Sequence, residues 1–186
     1  DSLGNLKFSK EDDDDTGATP YAYIDPDENE NHLLNFTGQH RAVSLGQNLL
    51  KEQFVGHIVV ASGEYGNFGN NPNSINEALP KVVQSSSRED KRVFGVISNY
   101  EDSNAQEREY KVGNFVSCYK KDPDDERLII NSLGEGAVWV CNINGNLENG
   151  DFITSCEVPG YGMKQDDDLL HNYTVAKITQ DCNFDL

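Results

Sequence analysis

Ala137-Val138-Trp139-Val140-Cys141-Asn142-Ile143-Asn144-Gly145-Asn146-Leu147-Glu148-Asn149-Gly150-Asp151-Phe152-Ile153-Thr154-Ser155 is the stretch whose reading decides the fold. It contains two short β-branched and aromatic runs, 137–141 and 152–154, with two Asn-Gly pairs between them. Asn-Gly is a strong hairpin signal, because both residues tolerate positive φ. The pairs stand too close together for both to be tips of full hairpins. One is expected to close a hairpin and the other to form a bulge or tight corner, which brings strands at 136–143 and 151–155 side by side.

The same short apolar runs recur on both sides. Ile58-Val59-Val60-Ala61, Val93-Phe94-Gly95-Val96-Ile97, Phe115-Val116-Ser117-Cys118-Tyr119, Leu128-Ile129-Ile130 and Tyr173 to Thr179 all read as strands. Helix is expected at most over Leu45 to Phe54, weakened by Gly46, and in a turn from Ser74 to Leu79 that Pro80 stops. Polar loops are expected at 99–109 and 120–126, and the Gly/Asn/aromatic stretch Gly63 to Pro72 reads as an ordered surface loop or subunit contact. The fold class is mainly β: a single domain of short antiparallel strands with long loops over 33–186, preceded by an extended acidic N-terminal arm or linker, 1–32. In that arm the blocks Glu11 to Asp15 and Asp25 to Glu30 read as solvated. A calcium loop opening at Asp12 fails, because Tyr23 occupies the position that requires a bidentate Glu.

Charge narrows the possible partners. The 186 residues carry 15 Lys+Arg against 32 Asp+Glu, a net charge of −17. Such a surface repels phosphate backbones and anionic lipid, so neither a nucleic-acid nor a membrane partner is expected. No apolar run approaches the length of a membrane-spanning helix. No signal peptide is visible, and the first residue is Asp1 rather than Met, which suggests a chain that begins inside a longer polypeptide or was trimmed. The cysteines at 118, 141, 156 and 182 match no zinc spacing and read as reduced thiols in a cytosolic setting. Cys141 with Cys156, across the expected neighbouring strands, is the pair to test for a disulfide.

Familiar catalytic signatures are absent: there is no GxxxxGK[ST], HExxH or GxSxG. Gly134-Glu135-Gly136 begins a GxG, but Trp139 fills the third glycine position of the dinucleotide fingerprint. No cofactor is therefore assigned. Two residues are candidate acid–base groups. His40, in Phe36-Thr37-Gly38-Gln39-His40-Arg41, lies beside a cation that disfavours its charged form. Glu135 lies between two glycines before an apolar run, where partial burial would raise its pKa. Each has a plainer role, as a hydrogen-bonded structural His and a turn residue facing water. A Ser132/Lys164 dyad and a cation site at Asp166-Asp167-Asp168 are weaker readings, since nothing in the sequence shows the dyad meeting and adjacent carboxylates are usually solvated.

Asn131-Ser132-Leu133-Gly134-Glu135-Gly136-Ala137-Val138-Trp139-Val140, Glu148 to Ser155, Pro159-Gly160-Tyr161-Gly162-Met163-Lys164-Gln165 and Tyr173-Thr174-Val175-Ala176-Lys177 carry a family resemblance. Phe36 to Arg41, Ile75 to Pro80 and Val93 to Ser98 add to it. The chain resembles the auto-processing domains of peptidase family G-two, carried by phage neck appendages and viral fibres, most densely over 92–180. The resemblance implies a C-terminal intramolecular chaperone that brings three chains of a viral fibre or tail spike into register. Its partners would be two further copies and the upstream fibre segment of the same polypeptide. It also implies single-turnover autoproteolysis by acidic residues near the scissile bond, with Asp1 as the new end of the product. No acid follows Asp1 before Glu11, so the family's acidic pair finds no matching positions. The expected location is the virion, or the host cytoplasm during virus assembly. The alternatives are a non-catalytic structural or receptor-binding domain of a virion fibre and a conventional hydrolase or metal-binding enzyme.

Overall fold

A computed structural model of the protein describes residues 6–9, 20–24, 38–66, 79–112, 115–121 and 125–184. The fold is mainly β, as the short apolar runs require. Twelve strands are formed among the described residues: β1 Leu6–Ser9, β2 Pro20–Ile24, β3 Gly38–Ser44, β4 Ile58–Tyr65, β5 Pro80–Gln84, β6 Val93–Tyr100, β7 Glu107–Val112, β8 Phe115–Lys120, β9 Leu128–Leu133, β10 Phe152–Ser155, β11 Gly162–Lys164 and β12 Thr174–Lys177. They fall into two compact units, 1–36 with 102–125, and 37–101 with 126–186.

The first unit is a four-stranded antiparallel sheet in the order β1-β2-β8-β7. Arg108 and Asp125 form a buried ion pair there, at 3.0 Å. The acidic blocks of the N-terminal arm lie outside the described residues, but Leu6–Ser9 and Pro20–Ile24 are strands of this sheet. β7 takes in part of the segment read as a polar loop.

The second unit is built on a closed barrel in the order β3-β5-β4-β6-β9. The pairing of β3 with β5 is parallel, and the other four pairings are antiparallel. Ala42, Leu49, Val59, Val82, Ile97, Leu128 and Ile130 form the core, each no more than 1% exposed. Val59 belongs to that core, yet Ile58 and Val60 beside it are also buried. Successive side chains on a strand point to opposite faces, so β4 is covered on both sides. The outer cover includes a three-stranded sheet, β11-β10-β12, in which Ile153 and Met163 are buried. A Cβ at Gly162 would overlap Ile153 and press on Ile58, so β11 lies against β4.

Three sequence expectations are corrected. Residues 137–141 form no strand, only a single parallel bridge from Val140 to Gly162; β10 pairs instead with β11 and β12. Both Asn-Gly pairs are tight turns with Gly at positive φ, closed by Gly145 N–H to Asn142 O and Asp151 N–H to Glu148 O. Their tips are held by other segments, Gly150 N–H bonding Ile178 O and Leu147 bridging Cys182, so neither makes a hairpin of the two runs. The expected helix Leu45 to Phe54 reduces to one 3-10 turn, Glu52–Phe54, because Leu49 must drop into the barrel core from irregular chain. Of the Gly63 to Pro72 stretch, Gly63 to Tyr65 end β4, while residues 67–78 lie outside the described residues.

Gly95 of β6 lies close against β9. A Cβ there would overlap the Asn131 carbonyl and the Ile130 side chain. Gly95→Ala is expected to lower stability by about 1–3 kcal/mol, as overpacking does. Urea unfolding followed by the Trp139 signal measures it, and an unchanged midpoint would show that β6 and β9 can separate without cost.

Candidate functional site

Four chain segments of the second unit meet around His57. His57 follows the 3-10 turn and immediately precedes β4. Its backbone is tied at both ends, N–H to Phe54 O at 3.0 Å and carbonyl to Ile97 N–H at 2.9 Å. Gln84 Nε2, at the end of β5, lies 2.6 Å from His57 Nδ1. With the amide donating, Nδ1 accepts and the ring proton sits on Nε2. Phe54 meets the imidazole edge-on at 5.5 Å between centroids, and Tyr161 lies at 5.4 Å.

The third wall is the turn 157–160 between β10 and β11. Gly160 O accepts from Ile58 N–H at 2.7 Å, and Gly160 N–H donates to Ser85 O at 2.8 Å. Gly160 has φ +80°, and a Cβ there would overlap the His57 ring, so both backbone geometry and space require glycine. Trp139 supplies the fourth wall from the segment after β9. Its Nε1–H donates to Val55 O at 2.8 Å, its N–H to Gly56 O, and its carbonyl accepts from Gly162 N–H. The indole lies over Gly56 and 6.4 Å from Tyr161 between centroids, and still leaves 54% of the residue exposed.

Burial lowers the pKa of His57 from its ordinary 6.5, which favours a neutral imidazole. A neutral ring can act as a base; among the described residues it hydrogen-bonds the Gln84 amide and packs against Phe54, Tyr161 and Gly160. Ser85 Oγ is buried without a hydrogen-bond partner. The arrangement positions a turn and an indole; it presents no nucleophile hydrogen-bonded to a base.

The residues singled out by sequence do not converge. His40 stands exposed on β3 with its ring 5.8 Å from Phe94. Its neighbour Arg41 is directed to Glu101, in an ion pair at 3.1 Å, so that charge is already balanced. Glu135 is exposed after β9, where its carbonyl accepts from Asn131 Nδ2 at 3.2 Å. The expected partial burial is absent, because no strand follows it to cover its side chain. Among the described residues no hydrogen bond or ion pair joins His40 to Glu135, and Asp1 lies outside them. Ser132 Oγ donates to Phe94 O, while Lys164 pairs with Asp151 at 2.8 Å, so the dyad does not form. The hydrogen bond that Lys164 donates to Asp151 raises the Lys164 pKa, the opposite of what a catalytic amine needs.

Asp167 is engaged within its own loop by Leu169 N–H, Gln165 Nε2 and His171 Nε2, each at 3.0 Å. Asn144 Nδ2 bonds Asp166. Among the described residues, no group of three or more His, Cys, Asp and Glu is arranged to hold a metal ion.

Sequence reasoning missed the His57 cluster. The available signals were a lone polar residue opening the apolar run Ile58-Val59-Val60 and the glycines flanking Tyr161. No protein-family model, curated protein or solved structure matches the chain.

The buried neutral His57 implies an acid-side loss of stability. Its folded pKa lies below its unfolded value, so its contribution is complete above pH 6.5 and is lost as pH falls from there through the folded value. Asp90, held down chiefly by the Arg92 hydrogen bond, titrates below 3.8 and stays outside this window. Urea midpoints from pH 7 to about pH 5 should fall for the natural chain and stay flat for His57→Gln. Equal slopes would remove His57 as the source.

Proposed function

We propose that this chain is an assembly domain of a viral fibre or tail-spike-like protein, bringing three copies into register, in the virion or in the host cytoplasm during assembly. The observation that carries the reading is a set of exposed apolar side chains in and just after the resembling block 131–140. Leu133 is 76% exposed, Trp139 54% and Ile143 45%, all at the end of β9 or on the irregular segment after it. Large side chains left in water on such a polar, acidic chain fit a surface that meets another chain. Trp139 is already fixed by its Nε1–H bond to Val55, so little rotamer freedom remains to be lost on contact.

Joining three chains in register carries a large ordering cost before long-range contacts form, and a domain that trimerises first reduces it. Self-release afterwards would leave the fibre kinetically locked. On this reading Glu135 and His40 act on a bond that ends at Asp1, within a single turnover. A second reading, a structural or receptor-binding domain that does not cut, is favoured by one specific observation: both candidates are exposed and share no hydrogen bond or ion pair.

Intact mass and solution size of a chain extended upstream of Asp1 test both readings. A trimer is expected, strengthened by salt because each copy carries −17. Trp139→Asp should weaken it at least tenfold. Under the cutting reading, mass falls to a fragment that begins at Asp1, and Glu135→Gln or His40→Ala blocks this without dispersing the trimer. An uncut trimer leaves the structural reading, and a monomer at every concentration sinks both.

A further inference from the structure

Cys141 and Cys156 are free thiols whose sulfurs lie 3.4 Å apart. They come together although 137–141 is not the strand that the sequence suggests. Gly162 of β11 is bridged by Val140 on one side and paired with Ser155 of β10 on the other. The two cysteines are the next residues along each of those segments. Cys141 N–H bonds Gly162 O at 2.9 Å, which sets the approach of its side chain. Cys156 is completely buried, and its S–H donates to Tyr161 O at 3.3 Å, while Cys141 is only partly buried.

We propose that Cys141 and Cys156 are a modification site: a dithiol that closes to an intramolecular disulfide with a low-molecular-weight disulfide as oxidant, clamping the Trp139 segment to the end of β10. The Cys141 thiolate, the accessible one, attacks one sulfur of the disulfide RSSR. This forms a Cys141–S–S–R bond and expels RS⁻, which takes a proton. Cys156 then loses its proton to solvent and attacks the Cys141 sulfur, expelling the second RS⁻. Two protein thiols give up two electrons and two protons, and one RSSR becomes two RSH.

The sulfurs must approach by a little over ~1 Å to reach bonding distance near 2.05 Å. Closure therefore draws 139–141 toward β10. Trp139, the single tryptophan, lies two residues before Cys141 and reports that movement. Burial first, then the hydrogen bond with Cys141, push the Cys156 thiol up to about 12. Closure needs the Cys156 thiolate and therefore accelerates with pH. The site stands on the thiol geometry and does not depend on trimerisation or cutting.

The full chain is incubated with excess oxidised glutathione, alkylated, and examined by intact mass, peptide mapping and fluorescence. The expected product has lost two hydrogens and links the peptides of Cys141 and Cys156. Trp139 emission shifts with closure and returns on reduction. Cys118→Ser/Cys182→Ser should close as the natural chain does, and Cys141→Ser should show neither the link nor the shift. Four thiols still open to alkylation, a link between another pair, or a mixed disulfide on Cys141 that never closes would each overturn the proposal. Mapping of the natural chain decides the matter even if a cysteine variant fails to fold.

Discussion

The second unit depends on the burial of one strand from two sides. Ile58, Val59 and Val60 are each no more than 1% exposed, although alternate residues of a strand face opposite ways. Removing a branched aliphatic side chain from water is worth about 2 kcal/mol, so neither face of β4 can be left open without substantial loss. Closure of the barrel covers the face that carries Val59. The other face needs a separate cover, and β10, β11 and the turn between them help to supply it. That demand explains why glycine stands at 160 and 162, where any side chain would hold the cover away from His57, Ile58 and Ile153.

The His57 cluster is the seam of this arrangement. One imidazole touches the 3-10 turn, the end of β5 and the 157–160 turn, and its backbone completes the bond to β6. A protonated ring would be poorly accommodated among Phe54, Tyr161 and a donating amide, so the seam holds best with the ring neutral. Trp139 closes the outside, with its polar atom satisfied inward and much of its ring left in solvent. The segment that carries it has no ladder of its own. It is held by the Trp139 and Cys141 backbone bonds to Gly56 and Gly162, and it brings Cys141 to Cys156.

Charge and exposed apolar surface act against each other in this chain. A net −17 repels like-charged copies, and Leu133, Trp139 and Ile143 stand exposed on the same chain. Salt screens the repulsion and leaves the apolar exposure unchanged. Two ion pairs have structural uses: Arg41 with Glu101 ties β3 to the end of β6, and Lys164 with Asp151 fastens β11 to the turn entering β10.

The β class was legible because it rests on local pattern: short runs such as Val93 to Ile97 and Leu128 to Ile130 have strand length and composition, and both are strands. The Asn-Gly pairs were legible as places where the chain turns, for the same local reason, positive φ, but not as turns that close no hairpin. Which strand pairs with which was not legible. Ala137 to Cys141 has strand composition, yet its neighbours are Gly56 and Gly162, and a ladder forms only where a partner edge is free. The surroundings of the candidate residues were not legible either: His40 and Glu135 had suggestive neighbours in sequence, but Arg41 pairs with Glu101, and Glu135 stands in solvent. The sequence by itself determined strand content, turn positions and the acidic surface, all set within a few residues. Only the tertiary structure decided the barrel order, the enclosure of His57 and the meeting of Cys141 with Cys156, because those depend on which distant segments cover the two faces of β4.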